Sequence, residues 1–152
     1  MAGFEFDLPD DFLSELLDSD FGEIAQECLS EAAPVLEESM KRQAKASVSH
    51  PGESEMVGSI KARRPGKSKG GGYHVFVGPS GYSSHTFSRE GKEGTRKYPV
   101  SNALKAIWLE YGIQHPSHHQ PAKPFLRASV NASKEKVLQK MQEVYNRKVG
   151  GT

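Results

Sequence analysis

Two rhythms of apolar positions run along this chain. Phe12, Leu13, Leu16 and Leu17 recur on one face of a short helix that opens at Leu8-Pro9-Asp10-Asp11. Proline is tolerated in a first helical turn, and acids there complement the positive end of the helix. Ser19-Asp20 offers an N-cap for a second, longer helix. Its stripe is Ile24, Ala25, Cys28, Leu29, Ala32, Val35, Leu36 and Met40, and it should end before His50-Pro51-Gly52. Pro34 sits inside that stripe. An interior proline loses a backbone hydrogen bond and costs ~3 kcal/mol, which predicts a kink or restart.

The period then shortens. Glu55 to Arg64, with Val57, Ile60 and Ala62, reads as a strand or a turn followed by a strand. Pro65 to Gly72 is a glycine-rich loop. Tyr73 to Pro79, rich in aromatic and β-branched residues, is the best strand in the chain. The two strands should pair across the loop as an antiparallel hairpin. Ser80 to Pro99 is polar, basic and punctuated by glycine, and reads as a surface excursion with a short strand near His85-Thr86-Phe87.

Helical spacing returns in Asn102 to Gly112, through Ala103, Ala106, Ile107 and Tyr111, with Leu104 and Trp108 beside them. Gly112 is a suitable helix stop. Ile113 to Pro121 is expected to be an irregular loop. Pro124 opens a final helix carrying Leu126, Val130, Val137, Leu138, Met141, Val144 and Tyr145. The order of elements predicts an α+β fold. A small antiparallel sheet should pack with a long N-terminal helix, a short middle helix and a long C-terminal helix.

The length of 152 residues fits a single domain over 1–152. Within it, 1–19 is an acidic helical extension, 20–148 the core, and 80–99 the excursion. One cysteine, Cys28, excludes an intramolecular disulfide. No apolar run approaches the ~20 residues that span a bilayer. The acidic N-terminal residues lack the basic-then-apolar order of a signal peptide, so synthesis and assembly in a cytoplasm are expected.

Charge is distributed unevenly. Residues 1–38 hold twelve Asp and Glu and no Lys or Arg, whereas all 20 basic residues follow, against seven acids. Segregated charge favours head-to-tail pairing between subunits and steers association. Asp10, Asp11, Asp18 and Asp20 are the acidic interface candidates. Arg63, Arg64, Lys67, Lys69, Arg89 and Arg96 are the basic ones. A solvated acidic helix beside a basic remainder explains the same counts without any interface.

Candidate chemistry is sparse. Gly66-Lys67-Ser68 resembles the end of a phosphate loop, but position 61 is Lys where that loop needs glycine. His115, His118 and His119 cluster without a cysteine or acidic partner at zinc-ligand spacing. Cys28 lies in an apolar stripe, as a small core residue does. No catalytic residue, metal or cofactor is assigned. The basic run from Lys61 to Lys69, with Arg89, Lys92, Arg96 and Lys97, has Tyr73, Phe76 and Tyr82 nearby. Basic groups beside aromatic ones suit phosphate contact and base stacking. A small DNA-binding accessory or regulatory protein using residues 61–97 is therefore the second functional class.

The C-terminal half carries a recognisable motif. Ala106-Ile107-Trp108-Leu109-Glu110-Tyr111-Gly112 is followed, after a short loop, by Pro121-Ala122-Lys123-Pro124-Phe125-Leu126-Arg127-Ala128. This resembles the neck or tail-completion family of long-tailed phages, the lambdoid gene-product-ten-like tail components. In that family a helix ending in Glu-aromatic-Gly precedes a Pro-Phe-Leu-Arg-x-Ala helix start. Gly52 to Ile60 is similar to the family's Thr-Gly-x-Leu-x-x-Ser-Ile segment, with the Thr and Leu replaced. The resemblance covers residues 20 to 148 in order of elements.

It implies a structural virion protein, not an enzyme. Such a protein lies at the head–tail junction, completing the tail or joining it to the portal-bearing head. The implied partners are further copies in a hexameric or dodecameric ring, other neck, connector, tail-terminator or tail-tube proteins, and genomic DNA passing through the channel. No membrane is implied. Trp108, Gly112, Pro124, Phe125 and Arg127 are the structural motif. Trp108 and Phe125 are expected in the core, while Glu110 and Tyr111 are interface candidates.

Overall fold

The computed structural model describes residues 21–150. The short helix expected over residues 8–17, and Asp10, Asp11, Asp18 and Asp20, lie outside the described residues. The fold is α+β, with two long helices, two short ones and small two-stranded sheets. In chain order the elements are α1 (Phe21–Ser47), a 3-10 turn (Pro51–Glu53), α2 (Glu55–Gly58), β1 (Lys61–Ala62), β2 (Gly66–Lys67), β3 (Tyr73–His74), β4 (Val77–Gly78), β5 (Tyr82–Gly91), β6 (Gly94–Ser101), α3 (Asn102–Tyr111), β7 (Ile113–His115), β8 (His118–Gln120) and α4 (Phe125–Val149). Contacts divide these residues into two compact units. The first holds 21–38, 62–77 and 132–150, and the second 39–61 and 78–131.

In the first unit the start of α1 runs antiparallel to the end of α4. Cys28, Leu29, Ala32, Ala33, Leu36, Val137 and Val144 are buried. The Cys28 thiol reaches the Met141 carbonyl oxygen at 3.5 Å. Outside this seam, Glu27 meets Lys148 at 2.7 Å and Arg147 at 3.0 Å. Glu31 meets Arg147 and, at 3.7 Å, Lys140. α1 continues through Pro34 without the expected restart. The proline ring is exposed, and buried Ala32, Ala33 and Leu36 anchor the turns on both sides. Burial contributes ~1.5–3 kcal/mol for a leucine alone, enough to offset one lost bond.

The strand expected over Tyr73 to Pro79 is broken into two. β3 pairs with β2, Gly66 opposite His74 and Lys67 opposite Tyr73. β4 pairs with β1. Between them a single bond runs from the Arg63 N–H to the Phe76 carbonyl at 2.8 Å. Pro65 has no N–H to give, so the ladder cannot run on through this point. Gly22 lets α1 approach the hairpin: a Cβ there would stand 2.5 Å from the Tyr73 hydroxyl. Phe21 meets Tyr73 edge-on at 6.4 Å.

In the second unit Met40, Ala44, Met56, Val57, Ile60, Val100, Ala106, Leu109 and Phe125 form the core. Ser39 donates to the Ser129 carbonyl at 3.0 Å, both residues buried. Of the two readings of Glu55 to Arg64, the turn followed by a strand holds: Glu55 to Gly58 is one helical turn, capped by the Ser54 hydroxyl accepting the Val57 N–H at 3.3 Å, and β1 follows it. α3 is capped likewise by Ser101, which accepts from Leu104 at 3.1 Å. Ile113 to Gln120 is not an irregular loop but a short hairpin, β7 with β8.

The largest departure from expectation is Ser80 to Pro99. It folds as one long ribbon, β5 against β6, with Phe87 opposite Tyr98 and Arg89 opposite Arg96. Gly94, at φ 106°, closes its turn. Between Ser83 and Val100 every ribbon residue is exposed, so neither face carries the apolar alternation that marks a half-buried strand.

Candidate interaction surface

The ribbon is held at its base and exposed beyond it. The Ser83 hydroxyl, buried, donates to the Val100 carbonyl at 2.9 Å. Asn102 closes the same end, its N–H donating to Gly81 and its side-chain amide to Ser80, each at 2.9 Å. The Glu55 carboxylate accepts the Ser84 N–H at 3.0 Å and its hydroxyl at 3.2 Å. Lys105 and His85 stand 3.9 Å from the same carboxylate, and the Lys105 ammonium lies 2.9 Å from the His85 Nδ1. The Ser84 N–H first, then its hydroxyl and the nearby Lys105, hold the Glu55 carboxyl below its ordinary range.

Beyond the base, residues two apart on a strand share a face. Phe87, Arg89 and their partners Tyr98 and Arg96 therefore stand on one side. The two rings stack at 5.5 Å with planes 26° apart. They remain 40% and 39% exposed, so the stack stabilises the hairpin and leaves part of both rings open to solvent. Arg96 pairs with Glu93 in the turn. Among the described residues Arg89 has no ion-pair partner. Like charges directly opposite on a sheet are destabilising. This face therefore presents an exposed aromatic stack beside two opposed arginines.

The other basic candidates belong to the first unit. Arg63, Arg64, Lys67 and Lys69 are exposed. Arg63 lies over the Phe76 ring, 5.1 Å from its centre. Lys67 is in β2, and Lys69 in the turn beyond it. The basic residues of 61–97 thus fall in two separate units.

The motif of the C-terminal half forms one local structure. Glu110 ends α3 and is 6% exposed. Its carboxylate accepts the Leu126 N–H at 2.7 Å and the Arg127 N–H at 3.3 Å. Those are among the first N–H groups of α4, which have no partner within their own helix. A negative group there also meets the positive end of the helix dipole. Glu110, expected as an interface candidate, is instead a buried clamp between two helices.

Gly112 adopts φ 78°, and a Cβ there would stand 2.7 Å from the Gln120 carbonyl oxygen and 2.8 Å from the Ala122 nitrogen. Lys123 donates its backbone N–H to Leu109 at 2.7 Å. The Pro124 carbonyl accepts from Ala128 at 3.1 Å, opening the helix. Phe125 is 1% exposed, as expected of a core anchor, while Trp108 is half-buried. Arg127 has an exposed side chain. Tyr111 is 69% exposed and Ile107, four residues earlier, 45%.

His115 and His118 lie opposite each other at the end of the β7–β8 hairpin, bridged by the Ser117 hydroxyl at 2.8 and 3.0 Å. Among the described residues no group of three His, Cys, Asp or Glu side chains is placed to hold a metal ion. No helix among them is long and apolar enough to cross a membrane.

The aromatic pair of the ribbon escaped the sequence reading. The available signal was Gly91-Lys92-Glu93-Gly94 between two runs containing Thr, Phe, Tyr and Val, a hairpin pattern. Comparison of the chain with protein-family models, curated proteins and solved structures finds no match.

Proposed function

We propose that this chain is a structural, non-enzymatic component of the neck of a tailed phage particle. It completes the tail or joins it to the portal-bearing head as one subunit of a ring around the DNA channel. The observation that supports this reading is the Glu110 clamp. The residues that resemble the neck family, Glu110 to Gly112 and Pro124 to Arg127, make one buried joint in this chain, with Glu110 bonded to Leu126 and Arg127. A motif that builds a joint is what a shared fold requires. The exposed ribbon and the exposed Ile107 and Tyr111 are surfaces available to neighbours in a ring. Mass spectrometry of purified virions tests the proposal: the protein should be present at a fixed copy number per particle, and its absence would reject the reading.

A second reading is favoured by the ribbon itself. A two-stranded ribbon fits the major groove of duplex DNA, and Arg89, Arg96 and Lys97 are phosphate-binding groups. A DNA-binding accessory protein would bind duplex DNA with an affinity that falls steeply as salt rises. A neck subunit would show weak binding or none in solution.

A further inference from the structure

The basic surplus of the described residues has an acidic counterpart elsewhere in the same sequence. The described residues hold 20 basic and 12 acidic side chains, a surplus of eight positive charges, whereas residues 1–20 hold seven acids and no base. The acids of α1 are largely engaged where they stand. Glu27 and Glu31 are held by Lys148, Arg147 and Lys140. The Glu37 carboxylate accepts the Ala62 N–H at 2.8 Å. Residues 1–20 therefore hold a block of acidic charge with no base in its own segment. The same stretch carries Phe4, Phe6, Leu8 and Phe12 among its acids. Acidic side chains interspersed with phenylalanine match a surface made of arginines and stacked rings.

We propose that the ribbon face formed by Phe87, Tyr98, Arg89 and Arg96 docks residues 1–20 of a second copy of this chain. This deepens the ring reading by naming the contact between neighbours. A basic face on one copy taking an acidic segment of the next is a heterologous contact, and repeated around an axis it closes a ring. Nucleic acid is the weaker occupant for this face. Arg96 is already paired with Glu93 in the turn. A phosphate backbone would meet that acid beside the cations, whereas a side-chain partner can place its carboxylates away from it.

The test uses the purified full-length chain, followed by sedimentation across a range of concentrations at low and high salt. The unaltered chain should self-associate, and more weakly at high salt, because exposed charges are screened beyond ~10 Å at 0.1 M. Arg89→Glu with Arg96→Glu should weaken association at least about tenfold, from the coupling of close charge pairs. Replacing Asp10, Asp11, Asp18 and Asp20 by Lys lies outside the ribbon and should do the same, so a ribbon folding defect cannot by itself account for both. Mixing the two variants should restore association, since each then offers the charge the other lacks. Carbodiimide cross-linking of a mixture of light and heavy-isotope protein should join acids of residues 1–20 to Lys92 as light–heavy hybrids.

A chain that stays monomeric at every concentration would overturn the proposal. So would association unchanged in the ribbon variant, cross-links confined to single chains, or a ribbon variant that loses only duplex DNA binding. The two readings fail separately. Association through the ribbon by a protein absent from virions would sink the neck assignment and leave this contact standing. A virion protein indifferent to the ribbon charges would do the reverse.

Discussion

Glu110, the next-to-last residue of α3, accepts the backbone N–H of Leu126 at 2.7 Å, so one buried carboxylate joins the middle helix to the start of the last. Removing it leaves two part-buried N–H groups without that partner at the positive end of α4, which costs ~1–3 kcal/mol for unsatisfied donors. Glu110→Ala should therefore destabilise the protein by about 2–4 kcal/mol and lower Tm by roughly 6–12 °C. Glu110→Gln keeps one accepting oxygen and should lose less. Thermal unfolding followed by circular dichroism measures both. An alanine variant within a degree of the parent would mean the clamp carries no weight.

Gly112 is the second part of that joint. Alanine there must adopt a left-handed backbone and place its Cβ against the backbone at Gln120 and Ala122. Strain of ~1–3 kcal/mol for the conformation adds to the contact that cannot relax. Gly112→Ala should destabilise more than Gly70→Ala, where nothing stands within 4 Å and φ is not in the left-handed region. Denaturant midpoints of the two variants, read at equal slope, give the comparison.

Acid should weaken the first unit before it weakens the seam beneath. Lys148 first, then Arg147, lowers the Glu27 carboxyl below its ordinary range; Arg147 first, then Lys140, lowers that of Glu31. Carboxyls that are more acidic folded than unfolded stabilise above the unfolded carboxylate range. That stability is lost as pH falls through the lowered folded values. A melting-temperature profile against pH should therefore decline on the acid side. In Glu27→Gln with Glu31→Gln the decline should be shallower, and the difference should shrink in high salt. The same acid slope in both proteins would show that the pairs are silent.

The Cys28 thiol is pushed up from its ordinary pKa by burial, with Glu27 and Glu31 adding to the shift. Only the thiolate reacts with alkylating reagents. Native protein at neutral pH should alkylate far more slowly than unfolded protein, and the rate should rise only above the usual thiol range. A thiol titration with and without denaturant reads this directly. Equal rates would place Cys28 at the surface.

Much of this architecture was readable because burial leaves a period in the sequence. The stripe from Ile24 to Met40 marked α1, and Asn102 and Gly112 bracketed α3 almost to the residue. The motif from Glu110 to Phe125 was visible as a pattern, yet its physical role was not. Nothing local announces that a glutamate at one helix end will cap another helix sixteen residues away. The ribbon was hidden for the opposite reason. Strands reveal themselves by one buried face, and Thr86 to Pro99 buries neither. Pro65 likewise gave no warning that it would split the pairing of β1 and β4 from that of β2 and β3. Phe87 was placed by the short strand read near His85-Thr86-Phe87, whereas its partner Tyr98, with neither face of its strand buried, was not.

The proposal that the protein is a ring subunit at the head–tail junction is best checked by electron microscopy of phage particles assembled without it. Filled heads beside separate, full-length tails are expected, with joining restored when the protein is supplied. Intact infectious virions assembled without the protein would contradict the proposal.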